Sequence, residues 1–143
     1  MSARDSGLSV LGADARVEIR SDTDIVAARQ KGRAMATASS FATAEATLIA
    51  TAISELARNI VLYAKCGEIV LKIVENGTRH GIRIIARDEG PGIADLDRAM
   101  QLGYSTSGSL GLGLPGVKKL MDEFEIVSER GKGTRVTVLK WRT

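Results

Sequence analysis

Between Thr43 and Asp88 the chain changes its apolar period once, and that change dictates most of what it can become. From Ala46 through Leu48, Ile49, Ala52, Ile53, Leu56 and Ile60, with Tyr63 extending the line, apolar residues recur every three or four positions. That is the pattern of a helix with one buried face. Ile69, Leu71 and Ile73 then alternate with Val70, Lys72 and Val74, and after a polar turn from Glu75 to His80 the segment Ile82 to Ala86 answers them as the second arm of a hairpin. Neither part is stable in water alone, because the helical stripe needs a sheet to cover it and the sheet needs a helix.

The flanking segments repeat these two periods. Ala15 to Ile19 predicts a short edge strand, and Ser21 or Asp22 caps a helix whose stripe is Ile25, Ala28, Gly32, Met35 and Ala36. Thr43 is the expected cap of the next helix and Cys66-Gly67 its end. Pro115 suits the first turn of a further helix continued by Val117, Leu120, Met121 and Phe124. Glu125 to Ser128 and Thr134 to Leu139 read as a second hairpin across Glu129 to Gly133, and Leu96 to Leu102 as a short helix within a Gly-, Ser- and Thr-rich stretch. The expected fold is α+β, a two-layer sandwich with a mixed, mostly antiparallel sheet and helices on one face. Residues 1–14 are expected as a loosely ordered leader, and residues 15–143 as one folded domain.

Composition narrows the function classes. Aromatic residues are 3% of the chain, so aliphatic side chains and alanine must fill the core. A net charge of +3 without a basic run gives no footprint for nucleic acid, and no window is long and apolar enough for a membrane span. The single cysteine, Cys66, excludes an internal disulfide and reads as a small half-buried residue, in agreement with a cytoplasmic location.

Three groups of residues carry chemistry. Asp88-Glu89-Gly90-Pro91-Gly92 ends the first hairpin in a sharp turn, where the Asp88 carboxylate can accept a hydrogen bond from an exocyclic amine and Gly92 lets a flat base approach the backbone. Taken alone, the pentapeptide fits an ordinary strand-to-loop turn equally well. Gly111-Leu112-Gly113-Leu114-Pro115-Gly116 opens a helix, whose free N–H groups and positive dipole end attract phosphate, and Ser107 among the neighbouring hydroxyls offers a donor. The stretch has neither the Gly-Lys-Ser/Thr ending nor the preceding strand of the common phosphate loops. Glu55 and Asn59, four apart, share one helix face. Asn59 offers a hard neutral oxygen to Mg²⁺, Glu55 can deprotonate a hydroxyl, and Arg58 can satisfy an acidic group on a nucleotide or partner. His80 reads as an exposed turn residue, Trp141 as a terminal packing residue, and Met100 and Met121 as core filler.

In this order, these segments, with Ile25 to Gln30, Thr51 to Ile60 and Gly131-Lys132-Gly133-Thr134, resemble the Bergerat-fold ATP-binding domain shared by gyrase-type ATPases, Hsp90, histidine kinases and MutL. Within that superfamily the chain is most similar to the small bacterial serine/threonine kinases that regulate sigma factors, the RsbT-like switch kinases of stressosomes. The resemblance covers about residues 16–140. It implies ATP and ADP as ligands with Mg²⁺, a mobile lid over the nucleotide, Glu55 as base, Asn59 on the metal and Asp88 on the adenine amine. Gly90 and Gly92 would shape the base pocket. Gly111, Leu112, Gly113, Leu114 and Gly116 would wrap the phosphates, and Thr134 would close the adenine side. The implied partners are STAS-domain substrate and scaffold proteins, followed by a PP2C-type phosphatase or another signalling enzyme. Two other readings stand beside it: a nucleotide-regulated binding module, and an anti-sigma factor with little essential catalysis.

Overall fold

A computed structural model describes residues 9–93, 100 and 113–143 of the chain. Five strands, β1 (Ser9–Ile19), β2 (Gly67–Asn76), β3 (Arg79–Asp88), β4 (Glu123–Glu129) and β5 (Gly133–Trp141), form one sheet in the order β1-β2-β3-β5-β4. All four pairings among these described strands are antiparallel. Three helices, α1 (Asp22–Ala38), α2 (Thr43–Asn59) and α3 (Gly113–Leu120), cover one face, giving the expected two-layer α+β sandwich.

Strand register aligns the apolar ranks. Ile69, Leu71 and Ile73 of β2 lie opposite Ala86, Ile84 and Ile82 of β3, and Ala86 and Ile84 lie opposite Val136 and Val138 of β5. These residues share one buried cluster with Ile25 and Ala28 of α1, Ile49, Ile53 and Leu56 of α2, and Val117 of α3. A slip of one residue would turn each rank to solvent, so burial itself fixes the register. Gly32 brings α1 close to α2, since a Cβ there would collide with the Ile53 side chain. On the other face Val74, Leu139 and Trp141 form a smaller cluster, and the Arg79 guanidinium lies 4.2 Å from the centre of the Trp141 ring.

Several elements differ from the sequence expectation. β1 starts at Ser9 rather than Ala15, pairing Ser9 with Glu75 at the far end of β2, so residues 9–14 belong to the sheet. α2 gives way at Ile60 to a π-helical turn, Ile60–Ala64, whose wider pitch rotates the side chains that follow. Tyr63 is therefore 48% exposed instead of continuing the inner stripe. Cys66, in the short link before β2, is exposed rather than half-buried. The first hairpin turn contracts to Gly77-Thr78, which moves His80 into β3 opposite Glu75. α3 ends at Leu120, and Phe124 enters β4 opposite Val138 instead of extending the helix. The helix expected over Leu96 to Leu102 falls, except for Met100, outside the described residues.

Candidate functional site

Asp88 is the last residue of β3 and, by the period of two, shares the helix-covered face with Ile84 and Ala86. Across the sheet it lies opposite Gly67 on one side and Thr134 on the other, and Thr134 lies opposite Ser128. The backbone N–H of Gly90 donates to Asp88 Oδ1 at 2.9 Å. Burial holds the Asp88 carboxyl above its ordinary value, while the N–H groups of Gly90 and Thr134 pull it partly back. Ser128, expected only as the end of a strand, joins this corner through the register of the second hairpin. Its hydroxyl accepts the Ile93 N–H at 2.7 Å and lies 2.8 Å from that of Thr134.

Glycines seat the loop after Asp88. Gly92 has φ 78°, and a Cβ there would strike the carbonyl of Glu129 at the end of β4. Gly131, in the β4–β5 turn, donates its N–H to Pro91 O at 2.8 Å. On the opposite side a Cβ on Gly90 would come within 2.6 Å of the Ala64 Cβ in the π-helical turn. The loop is thus clamped between the second hairpin and the end of α2, and its glycines are required by those close approaches.

The third component is the C-terminal end of α2. A Cβ on Gly67 would lie 2.9 Å from Ile60 Cγ2 and 3.1 Å from Asp88 Cβ, which fixes how closely this end of the helix sits over the Asp88 corner. Asn59, the last residue of α2, is half-buried there, and its side chain has no hydrogen-bond partner among the described residues. Glu55, one turn earlier, is 7% exposed. Its Oε1 accepts a charge-assisted hydrogen bond from Arg58 Nη1 at 2.8 Å, and its Oε2 accepts the Gly113 N–H at 3.2 Å. Arg58 thus commits Nη1 to Glu55, while its side chain stays 39% exposed.

The Gly113 contact ties the start of α3 to the same place, with Leu114 and Gly116 buried in the first turn of that helix. The structure brings together Glu55, Asn59, Asp88, Gly90, Gly92, Gly113 and Thr134 at one end of the helix–sheet interface. Ser107, Gly111 and Leu112 lie outside the described residues.

Comparison with known proteins identifies the family of this arrangement. Residues 44–143 match the family described as histidine kinase-, DNA gyrase B-, and HSP90-like ATPase. The chain belongs to this family. It is 53% identical over 125 residues to the serine/threonine-protein kinase RsbT of Bacillus subtilis (strain 168), an alignment covering 87% of this chain and 94% of that protein. It is also 36% identical over 99 residues to an anti-sigma F factor of Thermoanaerobacter sp. (strain X514), covering 65% and 68% of the two chains. Among these ATPases it is RsbT-like, an ATP-dependent protein serine/threonine kinase. No helix among the described residues is long and apolar enough to cross a membrane.

The described residues fit the nucleotide and metal that such an ATPase uses. The Asp88 carboxylate is fixed by backbone donors and retains acceptor capacity for an amine. Among the described residues no group of three His, Cys, Asp or Glu side chains could cage a metal. Mg²⁺ keeps its waters and takes one or two protein oxygens beside those of the phosphates, and the half-buried Asn59 carboxamide, without a hydrogen-bond partner among the described residues, can offer one.

Proposed function

We propose that this kinase transfers the γ-phosphoryl group of ATP to a serine or threonine of an STAS-domain protein within a stressosome-like assembly. Its release from the phosphorylated partner then allows it to activate a downstream signalling enzyme, such as a PP2C-type phosphatase. The cytoplasm is the compartment of this reaction. The observation that carries the reading is the pairing of Glu55 and Asn59 on one face of α2, at the end that covers the Asp88 corner. On this reading a base and a metal ligand on α2 stand near an adenine acceptor at the end of β3.

In this scheme Asp88 accepts from the adenine amine, with Thr134 beside it on β5, and Gly90 and Gly92 keep the base pocket in shape. In the first turn of α3, Leu114 and Gly116 offer backbone N–H groups to the phosphates, and the N–H of Gly113 is held by Glu55. Mg²⁺, held through Asn59, neutralises phosphate charge when bound. Glu55 takes the proton of the incoming hydroxyl as the new O–P bond forms, while the bond from the γ-phosphorus to the bridging oxygen breaks and ADP leaves with that electron pair. The protein contributes position and electrostatics; the nucleophile comes from the partner.

The test is mass spectrometry of a purified STAS-domain protein incubated with the chain and Mg-ATP. One added phosphoryl group on a serine or threonine is expected with the wild type, and none with Glu55→Gln, which should bind ATP as before. Undiminished transfer by Glu55→Gln removes the base assignment; no transfer to any STAS-domain protein removes the substrate class. The likeness to an anti-sigma F factor favours a second reading, direct capture of a sigma factor. It requires a stable complex between the chain and a sigma factor in gel filtration.

A further inference from the structure

The described residues contain two buried polar side chains, Ser54 and Glu55. Ser54 is accounted for by its hydrogen bond to the Ala50 carbonyl at 3.0 Å. Glu55 is a different case, because an ionised carboxylate with so little exposure needs partners, and its three side-chain torsions allow many orientations. Only one orientation serves a hydroxyl.

Arg58 makes a single contact with this carboxylate, Nη1 to Oε1, instead of the two-pronged grip an arginine can offer. Among the described residues, Oε2 accepts only the Gly113 N–H, at the longer distance of 3.2 Å. We propose that Arg58 is a positioning residue for phosphoryl transfer: it anchors Oε1 and thereby aims Oε2 at the place where the attacking hydroxyl arrives. This inference rests on the reading of Glu55 as base.

Two features support the assignment. A guanidinium gripping both oxygens would place the cation against each of them and lower the basicity of both, whereas the observed contact holds the group through Oε1 and leaves Oε2 clear of the guanidinium. The Arg58 side chain is 39% exposed, so water screens its charge and can replace part of the contact when the guanidinium is removed. Its removal should therefore register in turnover rather than in stability. The same exposure leaves the other guanidinium N–H groups able to reach a phosphate directly, and the experiment must separate these roles.

The variants are Arg58→Ala, Arg58→Lys, Glu55→Gln and the double variant Arg58→Ala/Glu55→Gln. Phosphoryl transfer to an STAS-domain protein that the wild-type chain phosphorylates is followed with radiolabelled ATP, and ATP affinity is measured separately with a fluorescent analogue. Arg58→Ala should lower kcat about a hundredfold, the scale of a small misplacement of a reacting group, with KM and Kd for ATP within about twofold of wild type. Arg58→Lys, which restores a cation near Oε1, should recover most of that loss. In the Glu55→Gln background Arg58→Ala should change the residual rate by less than about twofold, because a residue acting through Glu55 has nothing left to position.

A wild-type kcat in Arg58→Ala overturns the inference. So does a further large loss on adding Arg58→Ala to Glu55→Gln, or a parallel fall in ATP affinity, since either means that Arg58 meets the nucleotide itself. Full activity of Glu55→Gln instead sinks the base assignment, whatever Arg58 does. Thermal midpoints establish that each variant is folded. Arg58→Met, which keeps the apolar stem, replaces the alanine variant if that one is not.

Discussion

Asp88 is where binding and stability ask for different things. Its carboxyl is raised above the usual 3.8 by burial, with the N–H groups of Gly90 and Thr134 opposing. A raised carboxyl means that the folded chain binds the proton more tightly than the unfolded chain. That contribution to stability is fully present below the unfolded value and is lost as pH rises through the folded one. Near neutral pH the ionised group is therefore a net burden on the nucleotide-free fold. Asp88→Asn keeps an acceptor for the Gly90 N–H and removes the charge. Its nucleotide-free unfolding midpoint at neutral pH should equal or exceed that of wild type, while ATP affinity falls about ten- to a hundredfold, the scale of one hydrogen bond to a charged group. In the wild type, affinity should weaken as pH drops through the raised carboxyl, beginning above the range of a free aspartate. Calorimetry and nucleotide titrations across pH read both effects. A variant less stable than wild type, with unchanged affinity, would make Asp88 a structural residue only.

The β4–β5 hairpin shows what an element conceals in its sequence. Gly131 has φ 79° and no atom within 4 Å of where a Cβ would stand, whereas Gly133, at φ 101°, has the Asp88 carbonyl in that place. Gly131→Ala should cost about 1–2 kcal/mol, the penalty of a left-handed conformation alone. Gly133→Ala should cost about 3 kcal/mol or more, because strain and collision add, and it should also weaken ATP binding by displacing Asp88. Urea midpoints at constant slope give the two numbers, and equal losses would refute the packing account. The sharp turn after Asp88 and the hairpin itself were legible, because their residues are neighbours in the chain. The reason for Gly92 was not, since the Glu129 carbonyl that excludes a Cβ comes from a distant strand. The π-helical turn was equally hidden: apolar spacing along α2 gives no sign of the wider pitch after Asn59, so Tyr63 was placed on the wrong face. Burial on both faces of β2 is a finding of the structure, because the alternation of Ile69, Leu71 and Ile73 with Val70, Lys72 and Val74 points to one buried face, although the near-continuous apolar run carries the signal.

At the scale of the molecule, the proposed cleft takes its parts from both layers: Glu55 and Asn59 from α2, Asp88 and Thr134 from the sheet, and Gly113 from the start of α3. A ligand that bridges the layers binds the folded chain alone and stabilises it as a whole. At a free concentration a hundred times its Kd it adds about 2.7 kcal/mol, several degrees in Tm for a chain of this size. Glu55→Gln should retain the entire Mg-ATP shift, because a base contributes to transfer and little to binding. Asp88→Asn should lose much of it at the same ATP concentration. Asn59→Ala isolates the metal: its melting curve should respond to ADP with EDTA about as the wild type does, while the extra rise on adding Mg²⁺ shrinks or disappears. That difference is insensitive to the small change in basal stability expected from truncating a half-buried helix-end side chain, because each protein serves as its own reference. A Mg²⁺ increment as large in Asn59→Ala as in wild type would mean that the ion is held by phosphate and water alone. Asn59 would then serve the end of α2 rather than the metal.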